Sequence, residues 1–173
     1  MIITMETLKN NAKHQNNFKP KTVYHGNITL LLDFDGVLHT LGVDEDFNRV
    51  HYIQTLLEKF PNVSIVISSS WGDNMTLPEL KSLLPSIRNY IIGKTDDKFE
   101  KRSDAIKDWL GRCSFRRYYP WIAIDDSAFF DDDSPVIWCD PRTGLDDESY
   151  AALEAAITSP HEYKRHCADR WRE

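Results

Sequence analysis

The chain has 173 residues, 41% of them hydrophobic and 12% aromatic. That is enough for one packed core without disulfides or a structural metal, too short for a second full catalytic unit, and too apolar for intrinsic disorder. Against 27 acidic residues stand 21 basic ones, a formal charge of −6, so no global field draws the protein to nucleic acid or anionic membrane and a polyanionic partner needs a local basic patch.

Residues 1–22 are polar and rich in Asn and Lys, with no apolar stretch of the kind a signal peptide carries, and read as a lead-in of a cytoplasmic protein. A single domain is expected over 23–160, followed by a tail over 161–173 whose charges are nearly balanced, as on a surface helix. Ile28–Leu32 is a continuous apolar run ending at Asp33, the pattern of a strand buried on both faces of a parallel sheet. From Phe47, apolar residues recur at Val50, Ile53, Leu56, Leu57 and Phe60, an amphipathic helix that Pro61 ends. Val63–Ile67 predicts the second strand, stopped by Ser68-Ser69-Ser70, and Thr76 with Glu79 forms a capping box before Leu80, Leu83 and Leu84. Asn89–Ile92 reads as a short strand. A helix is expected from Asp97, carrying Phe99, Ile106, Trp109 and Leu110 and closed by Gly111. Trp121–Ile124 and Pro135–Trp138 predict two more strands, and a last helix puts Tyr150, Leu153 and Ile157 on one face. Alternating strands and helices predict an α/β, three-layer, Rossmann-like fold around a mostly parallel sheet.

In such sheets the ligand crevice lies beyond the carboxyl ends of the strands. Here the strand ends are polar: Asp33-Phe34-Asp35-Gly36 after the first, Ser68-Ser69-Ser70-Trp71 after the second, Asp125-Asp126-Ser127 after the fourth. Asp33 and Asp35 project from the same side where the strand runs out, and Gly36 permits a tight reversal. A lone Asp-x-Asp is usually just a polar loop; a second acidic pair closing another strand changes that. Several carboxylates in one crevice repel each other unless some are protonated or a divalent cation holds them, and a donor set of hard oxygens points to Mg²⁺.

Asp33-Phe34-Asp35-Gly36-Val37-Leu38 resembles the DxDG[TV] motif of the haloacid-dehalogenase-like (HAD) superfamily. Ser68 after Ile65-Val66-Ile67, with Ser69 as its rival, is similar to the superfamily's second motif. A basic residue on the helix before Asp125-Asp126 and that acidic pair itself are similar to the third and fourth. Ser68-Ser69-Ser70-Trp71, Arg102 with Ile106, Trp109 and Leu110, and Gly144-Leu145 resemble more closely the small HAD domains of Swiss army knife RNA-repair proteins. Gly72 departs from that pattern, which often has Arg there.

The resemblance implies a phosphatase in which Asp33 attacks phosphorus and Asp35 serves as general acid and base. Mg²⁺ would be held by the Asp33 carboxylate, the Asp35 main-chain carbonyl, Asp125 and Asp126. Ser68 or Ser69 would bind the phosphoryl oxygens together with Arg102, for which Lys98 is the alternative. The gaps from Asp35 to Ser68 and from Ser70 to Trp121 are nearly consumed by the expected elements, which leaves no room for a cap domain. An open site admits a phosphate on a large molecule, and the implied substrate is an RNA or DNA end, with no membrane and no obligate protein partner. The alternatives are a silent Mg²⁺- or phosphate-binding module in a complex, and a phosphatase of small nucleotides or phosphoproteins.

Other features have plainer readings. Cys113, Cys139 and Cys167 form no CxxC and read as reduced thiols. Cys113–Tyr119 interleaves basic and aromatic residues but reads as a helix-to-strand connection with snorkelling arginines. Asp131-Asp132-Asp133 reads as a solvated turn, and His39 as packing under the Asp-x-Asp loop.

Overall fold

A computed structural model describes residues 24–42, 46–96 and 98–169; the lead-in lies outside them. Five strands form one sheet: β1 (Ile28–Leu32), β2 (Val63–Ile67), β3 (Ile91–Lys94), β4 (Trp121–Asp125) and β5 (Val136–Trp138). Their order is β3-β2-β1-β4-β5, and every neighbouring pair is parallel. The helices are α1 (Val50–Lys59), α2 (Leu77–Leu83), α3 (Arg102–Arg112), α4 (Asp147–Thr158) and α5 (Pro160–Asp169). The result is the expected α/β architecture. Among the described residues the stretches between β1 and β2 and between β2 and β3 hold only turns, one helix each and a short 3₁₀ turn at Ser70–Asp73, so neither contains an inserted cap domain.

The central position of β1 explains its composition. With strands on both sides and helices on both faces it has no polar surface to present, and all five residues are buried. Its alternate residues serve different layers. Ile28, Leu30 and Leu32 join Ile65 and Ile67 in a core completed by Ile53, Leu56, Leu80, Leu153 and Ile157. Leu31, with Val66 and Ala123, packs on the opposite face against Ile106, Trp109 and Leu110 of α3.

The boundaries differ from the sequence reading at several elements. Phe47 stands before α1 in a left-handed conformation (φ 49°) and is held by aromatic contacts instead. β3 begins two residues later than Asn89 and takes in Gly93 and Lys94. The helix placed from Asp97, itself outside the described residues, starts at Arg102, whose backbone N–H donates to Phe129 O at 2.8 Å. Gly111 lies within that helix and Cys113 caps it, its N–H donating to Leu110 O. The segment from residue 161, expected as a surface helix, is helical in α5, but there Tyr163 is buried in the core with its hydroxyl donating to Val136 O at 3.0 Å. No helix among the described residues is long and apolar enough to cross a membrane.

Candidate active site

Strand register builds the site. Leu32 pairs with Ile67 of β2 on one side and with Ile124 of β4 on the other, so the next residues, Asp33, Ser68 and Asp125, emerge in one row. Two further backbone bonds lock that row: Ser68 N–H to Leu32 O at 2.8 Å and Asp33 N–H to Ile124 O at 3.2 Å. The row lies where the chain order reverses about β1, the usual place for a ligand in an open parallel sheet.

After Asp33 the chain turns sharply. Val37 and Leu38 N–H both donate to Phe34 O, and Gly36 adopts φ +65°. A Cβ on Gly36 would stand 2.2 Å from Asp126 Oδ2, so glycine is required both for the turn and for the approach of Asp126. The carboxylates of Asp33, Asp125 and Asp126 consequently offer oxygens within 4.8 Å of one another. Asp33 Oδ1 accepts from Phe34 N–H at 2.7 Å and Asp125 Oδ1 from Ser127 N–H at 2.7 Å, which leaves the second oxygen of each directed to Arg102. The guanidinium bridges them, Nη2 to Asp33 Oδ2 at 3.1 Å and Nε to Asp125 Oδ2 at 3.3 Å.

One cation does not balance three clustered carboxyls. Burial raises the Asp33 carboxyl above its ordinary range despite Arg102, and burial together with the neighbouring Asp33 holds Asp125 well above it. Burial, again with Asp33, pushes Asp126 up to about 6. Hard oxygen donors that are costly to ionise in each other's company are of the kind that holds a divalent cation.

Asp35 faces elsewhere. Its carboxylate accepts from the Trp71 indole N–H, at 3.1 Å to Oδ1 and 3.2 Å to Oδ2, with the Ser70 hydroxyl 3.5 Å from Oδ2. His39 Nε2 lies 3.1 Å from Asp35 Oδ1 but is not aligned for a hydrogen bond. Of the two serines, Ser68 is buried with its hydroxyl unpartnered, while the Ser69 hydroxyl accepts from Trp71 N–H and interacts with Asp33. Lys98 pairs with Asp96 at 3.2 Å and lies over the Phe99 ring, and the Lys94 ammonium donates to Gly72 O. Arg102 is therefore the basic side chain that the fold brings to the carboxylates.

Two features of the surroundings were not legible beforehand. Asp131 opens the expected exposed turn but is also clasped by Lys107 of α3 (2.6 Å) and by Lys101, which precedes that helix (2.9 Å); the two hold its carboxyl below the usual range and fasten the loop that follows Asp126. Trp71 enters the sequence reading only as part of a motif, although its place directly after the serines that end β2 is a signal that it reaches the crevice. The arginines of Cys113–Tyr119 form a 3₁₀ turn (Arg116–Tyr118) at the start of β4, the end opposite to Asp125.

A five-stranded parallel sheet ordered 3-2-1-4-5, with an acidic crevice at the ends of its central strands, defines a HAD-type domain of the phosphohydrolase kind. The chain belongs to the family described as the HAD domain in Swiss Army Knife RNA repair proteins, whose model matches residues 29–150. No curated protein and no solved structure matches it.

Proposed function

We propose that the domain is a Mg²⁺-dependent phosphohydrolase working through an aspartyl-phosphate on Asp33, with a phosphate on a large substrate, such as a nucleic-acid end, as its target. The observation that carries this reading is the position of Asp33, grouped with Asp125 and Asp126 and at the same time within 3.1 Å of Arg102. A phosphoryl group bonded to Asp33 has its oxygens beside the guanidinium. The unpartnered Ser68 hydroxyl supports the same assignment, since a buried donor left without an acceptor costs about 1–3 kcal/mol and a phosphoryl oxygen would satisfy it. Asp33, Asp125 and Asp126, with the Asp35 main-chain carbonyl, would hold Mg²⁺, which neutralises the charge gathered between enzyme and phosphate. Asp35, apart from that cluster, is left for proton transfer.

The test is release of inorganic phosphate from an aryl phosphate, a phosphate-ended oligonucleotide and a phosphopeptide, with Mg²⁺ and with chelator. Metal-dependent hydrolysis is expected; no release from any of them while Mg²⁺ is bound would leave the silent-module reading in its place. The affinity for Mg²⁺ should itself rise with pH through about 6, because the proton on Asp126 competes with the cation, as do those on Asp33 and Asp125. Calorimetric titration over a pH series checks this, and a flat profile would remove Asp126 from the ligand set.

For substrate size, the relevant surface is an open groove of about 300 Å³ that runs from Ser69, Arg102 and Ser127 to Phe99 and Phe129. Phe129 is 68% exposed there, and its backbone is fixed by bonds to Arg102 N–H and the Ser127 hydroxyl. Binding energy from substrate lying across this rim favours a longer molecule. A phosphate-ended oligonucleotide should be dephosphorylated with higher kcat/KM than the matching mononucleotide. Arg117→Ala should leave that ratio unchanged, since Arg117 sits at the far end of β4. Equal efficiency on both substrates would overturn the polymer-end assignment and leave the phosphatase standing.

A further inference from the structure

We infer that Trp71 is a positioning residue for proton transfer, its indole N–H holding the Asp35 carboxylate in the orientation that reaches the leaving oxygen. The inference rests on the acid–base role proposed for Asp35. The Asp35 side chain is about one-third exposed, and a carboxylate so placed turns freely about its Cβ–Cγ bond unless something holds it. The Trp71 N–H lies between its two oxygens, 3.1 and 3.2 Å away. His39 approaches Oδ1 without hydrogen-bond alignment, and the Ser70 hydroxyl touches Oδ2 only at 3.5 Å. The indole is thus the well-placed donor.

Trp71 is in turn immobilised. Phe34, Phe47 and His39 present edges to its ring at centroid distances of 5.7, 5.5 and 5.9 Å. Phe47 keeps a left-handed backbone to take part in this packing, a conformation of the sort that persists only where surrounding contacts over-determine it. From the other side, the 3₁₀ turn that starts at Ser70 fixes the Trp71 backbone, with Trp71 N–H on the Ser69 hydroxyl and Gly72 N–H on Ser69 O. The same turn therefore delivers the serines to the phosphate and the indole to the acid–base group.

In the first half-reaction an Asp33 oxygen bonds phosphorus, the bond from phosphorus to the leaving oxygen breaks, and the Asp35 proton passes to that oxygen. With the indole N–H shared between both Asp35 oxygens, the plane of the carboxyl is held while the proton leaves. In the second half-reaction a water oxygen displaces Asp33 from phosphorus and its proton goes to Asp35, which restores both carboxyls and releases inorganic phosphate.

Trp71→Phe keeps an aromatic ring in the cluster and deletes the donor. The experiment compares wild type, Trp71→Phe and Asp35→Asn on two substrates, a nitrophenyl phosphate, whose leaving group departs as a stable anion, and an alkyl phosphate, whose leaving group needs the proton. For Trp71→Phe we expect kcat/KM, which reports the first half-reaction alone, to fall roughly 10- to 100-fold on the alkyl phosphate through kcat and to stay within about threefold of wild type on the nitrophenyl phosphate. The ratio of the two rates does not depend on how much of the variant is folded, so partial unfolding does not blur the outcome. Equal losses on both substrates, a loss confined to KM, or no loss would overturn the role. If Asp35→Asn discriminates between the substrates and Trp71→Phe does not, the indole alone is misassigned. If Asp35→Asn fails to discriminate, the acid–base reading of Asp35 falls, and the role of Trp71 with it.

Discussion

Asp33→Asn should abolish turnover, lowering kcat by roughly 10⁴-fold or more on any phosphorylated substrate. The amide retains the oxygen that accepts Phe34 N–H and the size of the side chain, so the Asp33 turn should persist. What it lacks is the charge and nucleophilicity needed to bond phosphorus. Arg102 keeps its contact with Asp125, and removal of one of three mutually repelling carboxyls does not threaten the fold. Loss of activity by a well-folded Asp33→Asn, with no phosphate trapped on the protein after acid quench, is the expected result. Near-normal turnover would show that another group attacks phosphorus.

How far such assignments could be read from sequence depended on what kind of force placed each residue. β1 and β2 were legible because a strand buried on both faces can contain little besides apolar residues, and the polar residues that end them fall at the crevice by register alone. Thr76 and Glu79 were legible because a capping box is local. Arg102 could be favoured over Lys98 from its place one turn before Ile106, on the side of α3 that faces the sheet. What escaped was tertiary. β3 extends through Gly93 because Trp109 packs where a Cβ would stand, 2.8 Å away, and nothing local to Gly93 announces that neighbour. α3 starts late because the carbonyl of Phe129, a residue far along the chain, receives its first N–H. Asp131 resembled any aspartate in an acidic turn until Lys101 and Lys107 were brought against it. Trp71 stood next to the serines in the sequence, but its partner Asp35 arrives from a different strand end.

Asp125→Asn should have opposite effects on stability and on metal response. In the folded protein, burial and the neighbouring Asp33 hold the Asp125 carboxyl well above its ordinary range, so its ionised form is the costly one. The stability this group allows is present in full below the unfolded pKa and is lost as pH rises through the folded pKa. At neutral pH, where the unfolded chain ionises this carboxyl freely, placing it in the metal-free crevice therefore works against folding. The substitution removes that penalty and keeps an oxygen to accept Ser127 N–H, so metal-free Asp125→Asn should melt several degrees above metal-free wild type. Mg²⁺ should then reverse the ranking, because a cation bound to the native state stabilises it by mass action and the variant has lost one of its clustered ligands. Asp35→Asn is the contrast: its side chain lies with Trp71 rather than in the carboxylate cluster, so it should keep the Mg²⁺-induced rise in melting temperature while turnover falls by roughly 10²-fold or more. Thermal unfolding of the three proteins with and without Mg²⁺ decides the matter. A metal-free Asp125→Asn less stable than wild type would mean that the pairing with Arg102 outweighs burial and repulsion, and an undiminished Mg²⁺ shift in that variant would take Asp125 out of the metal site.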